Sequence, residues 1–358
     1  MSKRDDIMKI WRESFSDSKE YVTMYFDSVY RDEDALTLTD PSGQTVSSLL
    51  LQRYEMKFQQ TLHPVGYIAG AATVRRQRGK GYMSALMADT LHKSATRGDM
   101  LCTLIPARSA LYFYYRRFGF STIFYTKEQR FTSLHSFPVR GVYESLDDPV
   151  SEDIWQAFDR FQNLRPCYIQ HSRRDFENIL ADLRMDGGDF VAITSDDEDH
   201  GPRIVSMAWA VPRQDLLLVT DVMGESDDAR TAALQALRRL HPDTPFLLYG
   251  RPGDSMGGRL MPRGMGRVVN VSLLLAAVAA AHPDLRCAIR VNDPILSDLN
   301  SHTFVVADGL CKTDDGYKGW LDFDVNIEVF GEIAFSSPAI GDIIRFPAER
   351  PMISLMLD

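Results

Sequence analysis

The sequence predicts a mixed α/β (α+β) protein with more than one domain, and three observations carry this prediction. The chain has 358 residues, which is long for a single hydrophobic core, so two or three domains are expected. Apolar residues make up 44% of the chain and charged residues 25%, a balance typical of globular proteins. Strand-like runs occur among helix-like segments, which indicates sheets packed against helices.

Residues 1–135 are predicted to form one α/β domain. Two helical stretches open it, at 5–15 and 18–30. The strand-like runs DALTLTD and TVSSLLLQRYEMKF follow, and the turn sequence PSGQ between them predicts a hairpin. The remainder contains the strand-like runs HPVGYIAGAAT and LCTLIPA and the aromatic segment SALYFYYRRFGF.

Residues 136–283 have a similar order of elements, which suggests a diverged copy of the first domain. The strand-like runs are FVAITSDD, RIVSMAWAV and DLLLVTDVMG, and the helical segments lie at 151–160, 173–183 and 227–240. The basic glycine cluster RGMGR (263–267) is interpreted as a loop before the buried helix VSLLLAAVAAA. Residues 284–358 are strand-rich, and alternating apolar and polar residues in LDFDVNIEVF predict a strand with one buried face.

Charge and cysteine content exclude several classes of protein. The formal net charge of -9 argues against general binding to nucleic acid or anionic membranes and suits a cationic substrate. The four cysteines show no CxxC spacing, so neither a zinc site nor a disulfide framework is expected. The amino terminus lacks the apolar stretch of a signal peptide, and the longest apolar run is too short to span a bilayer. A cytoplasmic location is therefore predicted.

The segment VRRQRGKGYMSALMADTLHKSA (74–95) places a dense basic charge at the start of a helix. Its apolar residues recur at helical spacing, which predicts a buried stripe of Met83, Leu86, Met87, Leu91 and Ala95. The start of a helix presents unpaired backbone N–H groups and a positive dipole end. Glycines let an anion approach these groups, and the flanking arginines add charge. The segment thus predicts a phosphate or pyrophosphate receptor.

Two familiar glycine-loop patterns do not fit this segment. A P-loop requires GxxxxGK[ST], but Val74 stands at the first glycine position and Gly81 follows the lysine. A Rossmann loop requires GxGxxG, but Ser84 replaces the third glycine. Its ribose-binding acid should also end the next strand, whereas Asp99 precedes LCTLIPA.

A third pattern does fit, because RQRGKG matches [Q/R]xxGx[G/A] between a strand and a helix. This loop resembles the acetyl-CoA loop of the GNAT N-acetyltransferase superfamily. The resemblance implies that acetyl-CoA is the acyl donor and that no metal takes part. It also implies that the pyrophosphate of acetyl-CoA is bound by Arg76, Gln77, Arg78, Gly79, Lys80, Gly81 and Tyr82. The alternative is a solvated basic helix start, since short motifs also arise by chance.

Two neighbouring segments match the same superfamily. YRRFGF reads YxxxGF, and the resemblance implies that its tyrosine, Tyr115, faces the thioester sulfur. The alternative role for Tyr115 is that of a core aromatic. In the strand YIAGAA, the resemblance implies that backbone groups of Ala69, Gly70 and Ala71 bind the pantetheine arm. The alternative is a strand of small residues packed under a helix.

Over its whole length the chain resembles the Eis-like (enhanced intracellular survival) acetyltransferases. This resemblance implies tandem GNAT-like domains at 1–135 and 136–283, the second degenerate, and a small α+β domain similar to sterol-carrier modules at 284–358. RVNDPILSDLNSHTFVV resembles the opening of that third domain. The second domain is not expected to bind CoA, because the equivalent helix start carries acids: Glu225, Asp227 and Asp228.

The chain ends in the apolar stretch PMISLMLD, although chain ends are usually polar and frayed. This stretch is predicted to be a buried strand. In Eis-like enzymes the terminal carboxylate reaches the active site as general base, which implies this role for Asp358 here. The alternative is a terminal strand whose last residue lies at the surface.

The resulting hypothesis is direct acetyl transfer to a primary amine of a small cationic or peptide substrate in a ternary complex. Cys102 is a less suitable nucleophile, because it lies in an apolar strand with no histidine nearby in the sequence. The chief alternative is a non-enzymatic lipid or metabolite carrier that uses the third domain. A module that binds nucleic-acid phosphates is opposed by the net charge. Neither a nucleic-acid nor a membrane partner is expected, and a hexamer is expected only by family analogy.

Overall fold

A computed structural model of the chain describes residues 2–146, 152–197, 201–254, 257–336 and 350–357. Contacts between residues divide it into two units. Unit 1 takes its described residues from Met1–Phe124 and Pro262–Pro351, and unit 2 from Tyr125–Met261 and Met352–Leu357. The division into three domains at 1–135, 136–283 and 284–358 stays a prediction.

The described residues form strands and helices in an order close to that predicted. The strands are Ala35–Thr39 (β1), Thr45–Phe58 (β2), Thr61–Thr73 (β3), Leu101–Leu104 (β4), Ser121–Phe131 (β5), Glu144–Ser145 (β6), Tyr168–Gln170 (β7), Asp189–Asp197 (β8), Gly201–Arg213 (β9), Leu216–Gly224 (β10), Phe246–Gly250 (β11), Arg259–Val268 (β12), Cys287–Asn292 (β13), Thr303–Ala307 (β14), Leu310–Thr313 (β15) and Phe323–Asn326 (β16). The helices are Lys3–Ser14 (α1), Lys19–Met24 (α2), Tyr82–Thr96 (α3), Ser109–Arg116 (α4), Glu152–Asn163 (α5), Arg173–Met185 (α6), Asp227–Leu240 (α7), Val271–Ala281 (α8), Ser297–Asn300 (α9) and Ile327–Ser336 (α10).

The main sheet of unit 1 has the strand order β1-β2-β3-β4-β12. β1, β2 and β3 are antiparallel, so the predicted hairpin is confirmed. α3 connects β3 to the parallel strand β4, as a parallel pair requires a crossover. The prediction that 263–267 form a loop is wrong, because Met265–Val268 pair with β4. This strand was not predicted from the sequence, because its first half is exposed and its buried half includes the charged Arg267.

A second, four-stranded sheet in unit 1 has the order β15-β14-β13-β16. α8, predicted as a buried helix, packs against β14 and β15. The single strand predicted over LDFDVNIEVF is only partly correct, because the strand ends at Asn326 and α10 begins at Ile327. The Asn326 side chain accepts a hydrogen bond from the Val329 N–H at 2.9 Å, which caps the helix in the usual manner.

Unit 2 has the strand order β5-β11-β10-β9-β8-β6, where β5 enters the unit at Tyr125. The helices predicted at 173–183 and 227–240 are confirmed as α6 and α7. The core of the unit includes Trp209, which is fully buried and packs edge-to-face against Phe158. In the described part of the chain, no helix has the length and apolar character needed to cross a membrane.

Candidate acyl-CoA site

The strands β3 and β4 separate where the sequence predicts the pantetheine arm to bind. Their parallel pairing runs from Val65↔Leu101 to Tyr67↔Thr103, the last pair among the described residues. β3 continues for six residues beyond Tyr67, to Thr73. Backbone groups on the β4 side of this extension have no strand partner in the described residues and are available to a ligand. The predicted residues Ala69, Gly70 and Ala71 lie on this extension.

Gly70 lies in a β-bulge within β3 and packs against an aromatic ring. Between the pairs Leu50↔Ala69 and Ser48↔Ala72, β3 contains one residue more than β2. Gly70 has a φ of +58°, in the left-handed region that favours glycine. A Cβ at this position would lie 2.2 Å from Cζ3 of Trp11. Trp11 on α1 is buried, and its Nε1 donates to Asp17 at 2.6 Å, so the ring is held in place.

We expect Gly70→Ala to lower the free energy of unfolding by about 2–5 kcal/mol. About 1–2 kcal/mol arises from left-handed backbone strain, and the clash with Trp11 adds about 1–3 kcal/mol. Gly43→Ala is the matched control, because Gly43 has a φ of +80° but no atom within 4 Å of an added Cβ. Urea unfolding measures both variants, and equal losses would contradict the role given to the Trp11 contact.

The loop after β3 presents two glycines at the start of α3. A short 3-10 turn, Arg75–Gln77, leaves the strand. Gly79 and Gly81 have φ values of +78° and +87°, and both are exposed. Gly81 is the N-cap of α3, and no side chain of the described residues caps it. The first-turn N–H groups of α3 and its positive dipole end therefore face outward beside the loop, as an anion receptor requires.

The basic side chains of the loop are held by neighbouring elements. Arg76 Nη2 donates to Gln44 Oε1 at 2.5 Å, and Gln77 Nε2 donates to Asp40 Oδ2 at 3.2 Å. Lys80 Nζ donates to Gln77 Oε1 at 2.7 Å. Arg78 behaves differently, because its Nε donates to the Thr73 carbonyl at 2.9 Å and so ties the loop to the end of β3. These hydrogen bonds within the protein organise the loop.

The residues that support this loop were not predicted from the sequence. Asp40 organises the β1–β2 turn by accepting hydrogen bonds from Ser42 and from the Gln44 N–H. Chiefly the bond from the Ser42 hydroxyl holds the pKa of Asp40 below its usual value, so the carboxylate stays ionised beside the basic loop. Glu13 on α1 accepts a hydrogen bond from the Arg75 N–H at 2.7 Å. The DPSG turn signal was visible in the sequence, but its contact with a loop more than 30 residues away was not.

A cavity of about 560 Å³ adjoins the loop on the side of α1 and the β1–β2 turn. Ile10 and Val74 form its apolar part and are both buried. Its charged lining consists of Asp6, Lys9, Glu13, Arg75 and Arg76. Both signs of charge are therefore present next to the loop.

α3 packs on the sheet through the stripe predicted from its spacing. Leu86, Met87 and Leu91 are fully buried, whereas Met83 and Ala95 at the two ends are partly buried against the same core cluster. This packing fixes the helix axis and hence the direction in which its first turn points.

Tyr115 lies on α4 and belongs to the same core cluster as Ile68, which precedes Ala69 on β3, and Leu104, at the end of β4. Its ring centroid is 5.9 Å from that of Phe120. Burial, followed by the nearby Tyr114, raises the pKa of Tyr115 to about 12. The phenol therefore stays protonated at neutral pH and remains a hydrogen-bond donor. Ile68 and Tyr115, which are 47 residues apart in the sequence, therefore belong to one core cluster.

Residues 352–357 belong to unit 2 and are largely buried, as predicted, but they do not form a strand. Met352 and Tyr168 form an isolated bridge, and all residues of 352–357 except Leu355 are buried. Ser354 is bonded on several sides, since its Oγ donates to Asp221 at 2.5 Å and its carbonyl lies 2.9 Å from His171 Nε2. Asp358, the predicted general base, lies outside the described residues.

The equivalent helix start in unit 2 is filled by the protein itself. Ser226 caps α7 by accepting from the Ala229 N–H at 3.1 Å. Asp228 accepts hydrogen bonds from the backbone N–H groups of Arg140 and Gly141. The start of α7 is therefore capped by a side chain, in contrast to the start of α3, which no side chain of the described residues caps.

Cys102 has the character of an inert core thiol. It is fully buried in β4, and this burial raises its pKa to about 12. A thiol with so high a pKa has almost no thiolate at neutral pH, and the thiolate is the nucleophilic form. The burial of Cys102 therefore argues against a role for this thiol as a nucleophile.

Comparisons with known proteins identify a domain family and the fold. Residues 1–123 match the family model of the acetyltransferase (GNAT) domain. No curated protein sequence matches the chain. Among solved structures, the chain is similar in fold to Eis1 from Mycobacterium abscessus, at 14% identity and a TM-score of 0.75, with 99% of this chain and 97% of that one covered.

Two further solved structures show the same likeness over nearly whole chains. A probable N-acyltransferase from Enterococcus faecalis V583 has 13% identity and a TM-score of 0.77, covering 98% of this chain and 96% of that one. A GCN5-related N-acetyltransferase from Kribbella flavida has 17% identity and a TM-score of 0.71, covering 99% and 96%. The predicted mixed α/β fold with a GNAT-like sheet is thereby confirmed.

Proposed function

We propose that this chain, whose residues 1–123 form a GNAT acetyltransferase domain, transfers an acetyl group from acetyl-CoA to a primary amine. One observation carries the proposal: the strands β3 and β4 separate beside a helix start that is open and basic. A diphosphate and an extended amide-bearing arm are the two parts of CoA that such a site suits. A glycine-rich anion receptor directly continuous with an unpaired strand edge fits both parts.

The donor is assigned to two adjacent backbone surfaces. The diphosphate is assigned to the first-turn N–H groups of α3 and to the loop residues Arg76, Gln77, Arg78, Gly79, Lys80, Gly81 and Tyr82. The pantetheine amides are assigned to backbone groups of Ala69, Gly70 and Ala71. In this site acetyl-CoA is a substrate that supplies an acetyl thioester. Backbone N–H groups of the same edge are available to polarise the thioester carbonyl.

Proton transfer is assigned to two groups of this chain. An amine is protonated at neutral pH and must lose a proton before it attacks a carbonyl, and a carboxylate of Asp358, directly or through water, is proposed as the general base. The departing thiolate has a pKa of about 8.5 as a free thiol. Tyr115, whose phenol is protonated at neutral pH, is proposed to donate a hydrogen bond or a proton to that sulfur.

The acceptor is proposed to be a small cationic or peptide amine, in keeping with the net charge of -9. The alternative, a lipid or metabolite carrier, has no support from the comparisons. The likeness of residues 284–358 to sterol-carrier modules and the hexameric state also belong to this proposal; sedimentation analysis tests the second of these.

Two measurements with the full chain test the proposed function. Calorimetry with acetyl-CoA should show binding that depends on the diphosphate, so that pantetheine alone binds far more weakly. Labelled acetyl-CoA with a panel of polyamines, aminoglycosides and lysine peptides should then yield an acetylated amine. A folded protein that takes up no acetyl-CoA would refute the proposal at its first step.

We expect deletion of Asp358 to lower kcat by about 10-fold or more, because a positioned general base contributes at least about 10²-fold and water can replace part of its role. The preceding residue, Leu357, is buried. Asp358→Ala is the paired variant, since it removes the side chain but keeps the terminal carboxylate. If the deletion leaves kcat and its pH profile unchanged, the terminus is not the base.

A further inference from the structure

A buried ion pair joins β12 to the small sheet of unit 1. Arg267 on β12 and Asp293, directly after β13, are both fully buried. Arg267 Nη2 lies 2.6 Å from each carboxylate oxygen of Asp293. The carboxylate also accepts from Asn300 Nδ2 at 2.9 Å and from the Leu296 N–H at 3.1 Å. The RVNDP segment singled out in the sequence thus supplies the partner of a buried arginine.

The same arginine reaches the turn that follows Tyr115. Arg267 Nε donates to the carbonyl oxygen of Phe118 at 3.3 Å. The Phe118 N–H in turn donates to the carbonyl of Tyr115 at 2.9 Å. Gly119 permits this approach, because its φ is +82° and an added Cβ would lie 2.8 Å from Cγ2 of Ile327 and 3.3 Å from Nε of Arg267. The glycine of the YxxxGF motif is therefore required by packing against β12 and α10.

A second contact joins the carboxyl-terminal end of α4 to α10. Arg116 Nη2 lies 2.5 Å from Glu328 Oε1, and the Glu328 side chain is only 19% exposed. Tyr115 is thus followed directly by Arg116, which is paired with α10, and then by a turn bonded to Arg267. We call Arg267, Asp293, Ile327 and Glu328 the α4 clasp.

The free energy of burying the Arg267–Asp293 ion pair suggests a role beyond stabilising the fold. Replacing a buried ion pair by apolar residues of similar volume is often neutral or stabilising, because desolvation offsets the attraction. An apolar side chain cannot donate to the Phe118 carbonyl, however. The directional hydrogen bond is therefore the property that only the ion pair supplies at this depth.

We infer that Arg267, held by Asp293, is a positioning residue for Tyr115, and that residues 284–336 serve the acetyl transfer by fixing α4. This inference rests on the proposed function. It gives the carboxyl-terminal part of unit 1 a role in the reaction that requires no ligand of its own. Because displacement of a reacting group by about 1 Å can cost up to about 100-fold in rate, a loosened turn should be visible in kcat.

The test is the double variant Arg267→Met with Asp293→Leu, which removes the charges together and leaves no unpaired buried ion. It should unfold at a temperature close to that of the wild type and bind acetyl-CoA within about threefold, while kcat falls about 10- to 30-fold. If both stability and kcat equal those of the wild type, the pair has no positioning role and the inference fails.

A matched control lies in the same unit, at the other end of α3. Arg97 and Asp99 form an ion pair of 2.7 Å with Asp99 fully buried, and neither residue contacts α4 among the described contacts. Arg97→Met with Asp99→Leu makes the same chemical change and should leave kcat unaltered. An equal fall of kcat in this control would show general loosening and would overturn the inference.

Hydrogen exchange separates this inference from the proposed function. Exchange of the peptide 115–120 should be faster in the Arg267→Met, Asp293→Leu variant than in the wild type and the control, whether or not an acceptor amine is known. Unchanged exchange there would overturn the clasp. If the wild type transfers no acetyl group but exchange is still faster in the variant, the proposed function is refuted. The α4 clasp is then supported as a structural feature alone.

Discussion

Tyr115→Phe is expected to lower kcat by about 100-fold while the dissociation constant of acetyl-CoA changes by less than about threefold. The substitution removes one hydroxyl from a buried ring and leaves its packing against Phe120 and the core cluster intact. Proton donation by a positioned side chain contributes about 10²–10⁴-fold to a rate. Because the thiolate develops only as the thioester breaks, the effect should fall on turnover and not on affinity.

Tyr114→Phe is the matched control on the same helix. The Tyr114 hydroxyl is buried and has no hydrogen-bond partner among the described residues, so its removal relieves an unsatisfied polar group. We expect unchanged turnover and an equal or slightly higher free energy of unfolding. Steady-state kinetics with calorimetry on both variants checks the pair of expectations, and similar losses of kcat in the two would exclude a specific role for Tyr115.

The pKa of Tyr115 gives this prediction a pH dependence. In the folded protein the pKa of Tyr115 is raised to about 12 from an ordinary value of about 10. The buried neutral phenol therefore contributes to the free energy of unfolding below pH 10. That contribution is lost as the pH rises through 10 to 12. Tyr115→Phe should therefore be less sensitive than the wild type to unfolding in this alkaline range. A decline of kcat below pH 9 must come from another group.

Local patterns were sufficient to predict most elements of the site. The spacing of Leu86, Met87 and Leu91 predicted the buried face of α3, and the glycine pair of RQRGKG was predicted to lie where that helix begins. These features depend on residues within one or two helical turns of each other. Interactions between residues close in the sequence determine these features, so they can be predicted from a single sequence.

Contacts between distant segments were not predictable in this way. The residues near Gly70 in the sequence do not indicate that a Cβ added at this position would lie 2.2 Å from the ring of Trp11. Arg267 was assigned to a loop because a charged residue in a glycine-rich stretch resembles a turn, whereas Asp293, 26 residues further on, makes its burial possible. The end of LDFDVNIEVF was misassigned because Ile327 continues the alternation of the strand by chance while beginning a helix.

Gly81→Val is expected to weaken acetyl-CoA binding by about 30- to 100-fold. Gly81 has a φ of +87° and is the N-cap of α3, and a β-branched residue strongly disfavours this conformation. Relaxing the strain would turn the first N–H groups of the helix away from the anion. Each charge-assisted hydrogen bond that is lost costs about 1.5–3 kcal/mol, and about 1.4 kcal/mol corresponds to a tenfold change in affinity.

Gly98→Val provides the comparison at the opposite end of the same helix. Gly98 follows α3, has a φ of +81°, and like Gly81 has no atom within 4 Å of an added Cβ. The two variants should therefore lose similar stability, about 1–2 kcal/mol from backbone strain. Only Gly81→Val should lose affinity, because only the amino-terminal end of a helix attracts anions. Calorimetry with acetyl-CoA decides the matter: equal affinity of the two variants would mean that the diphosphate does not bind at this helix start.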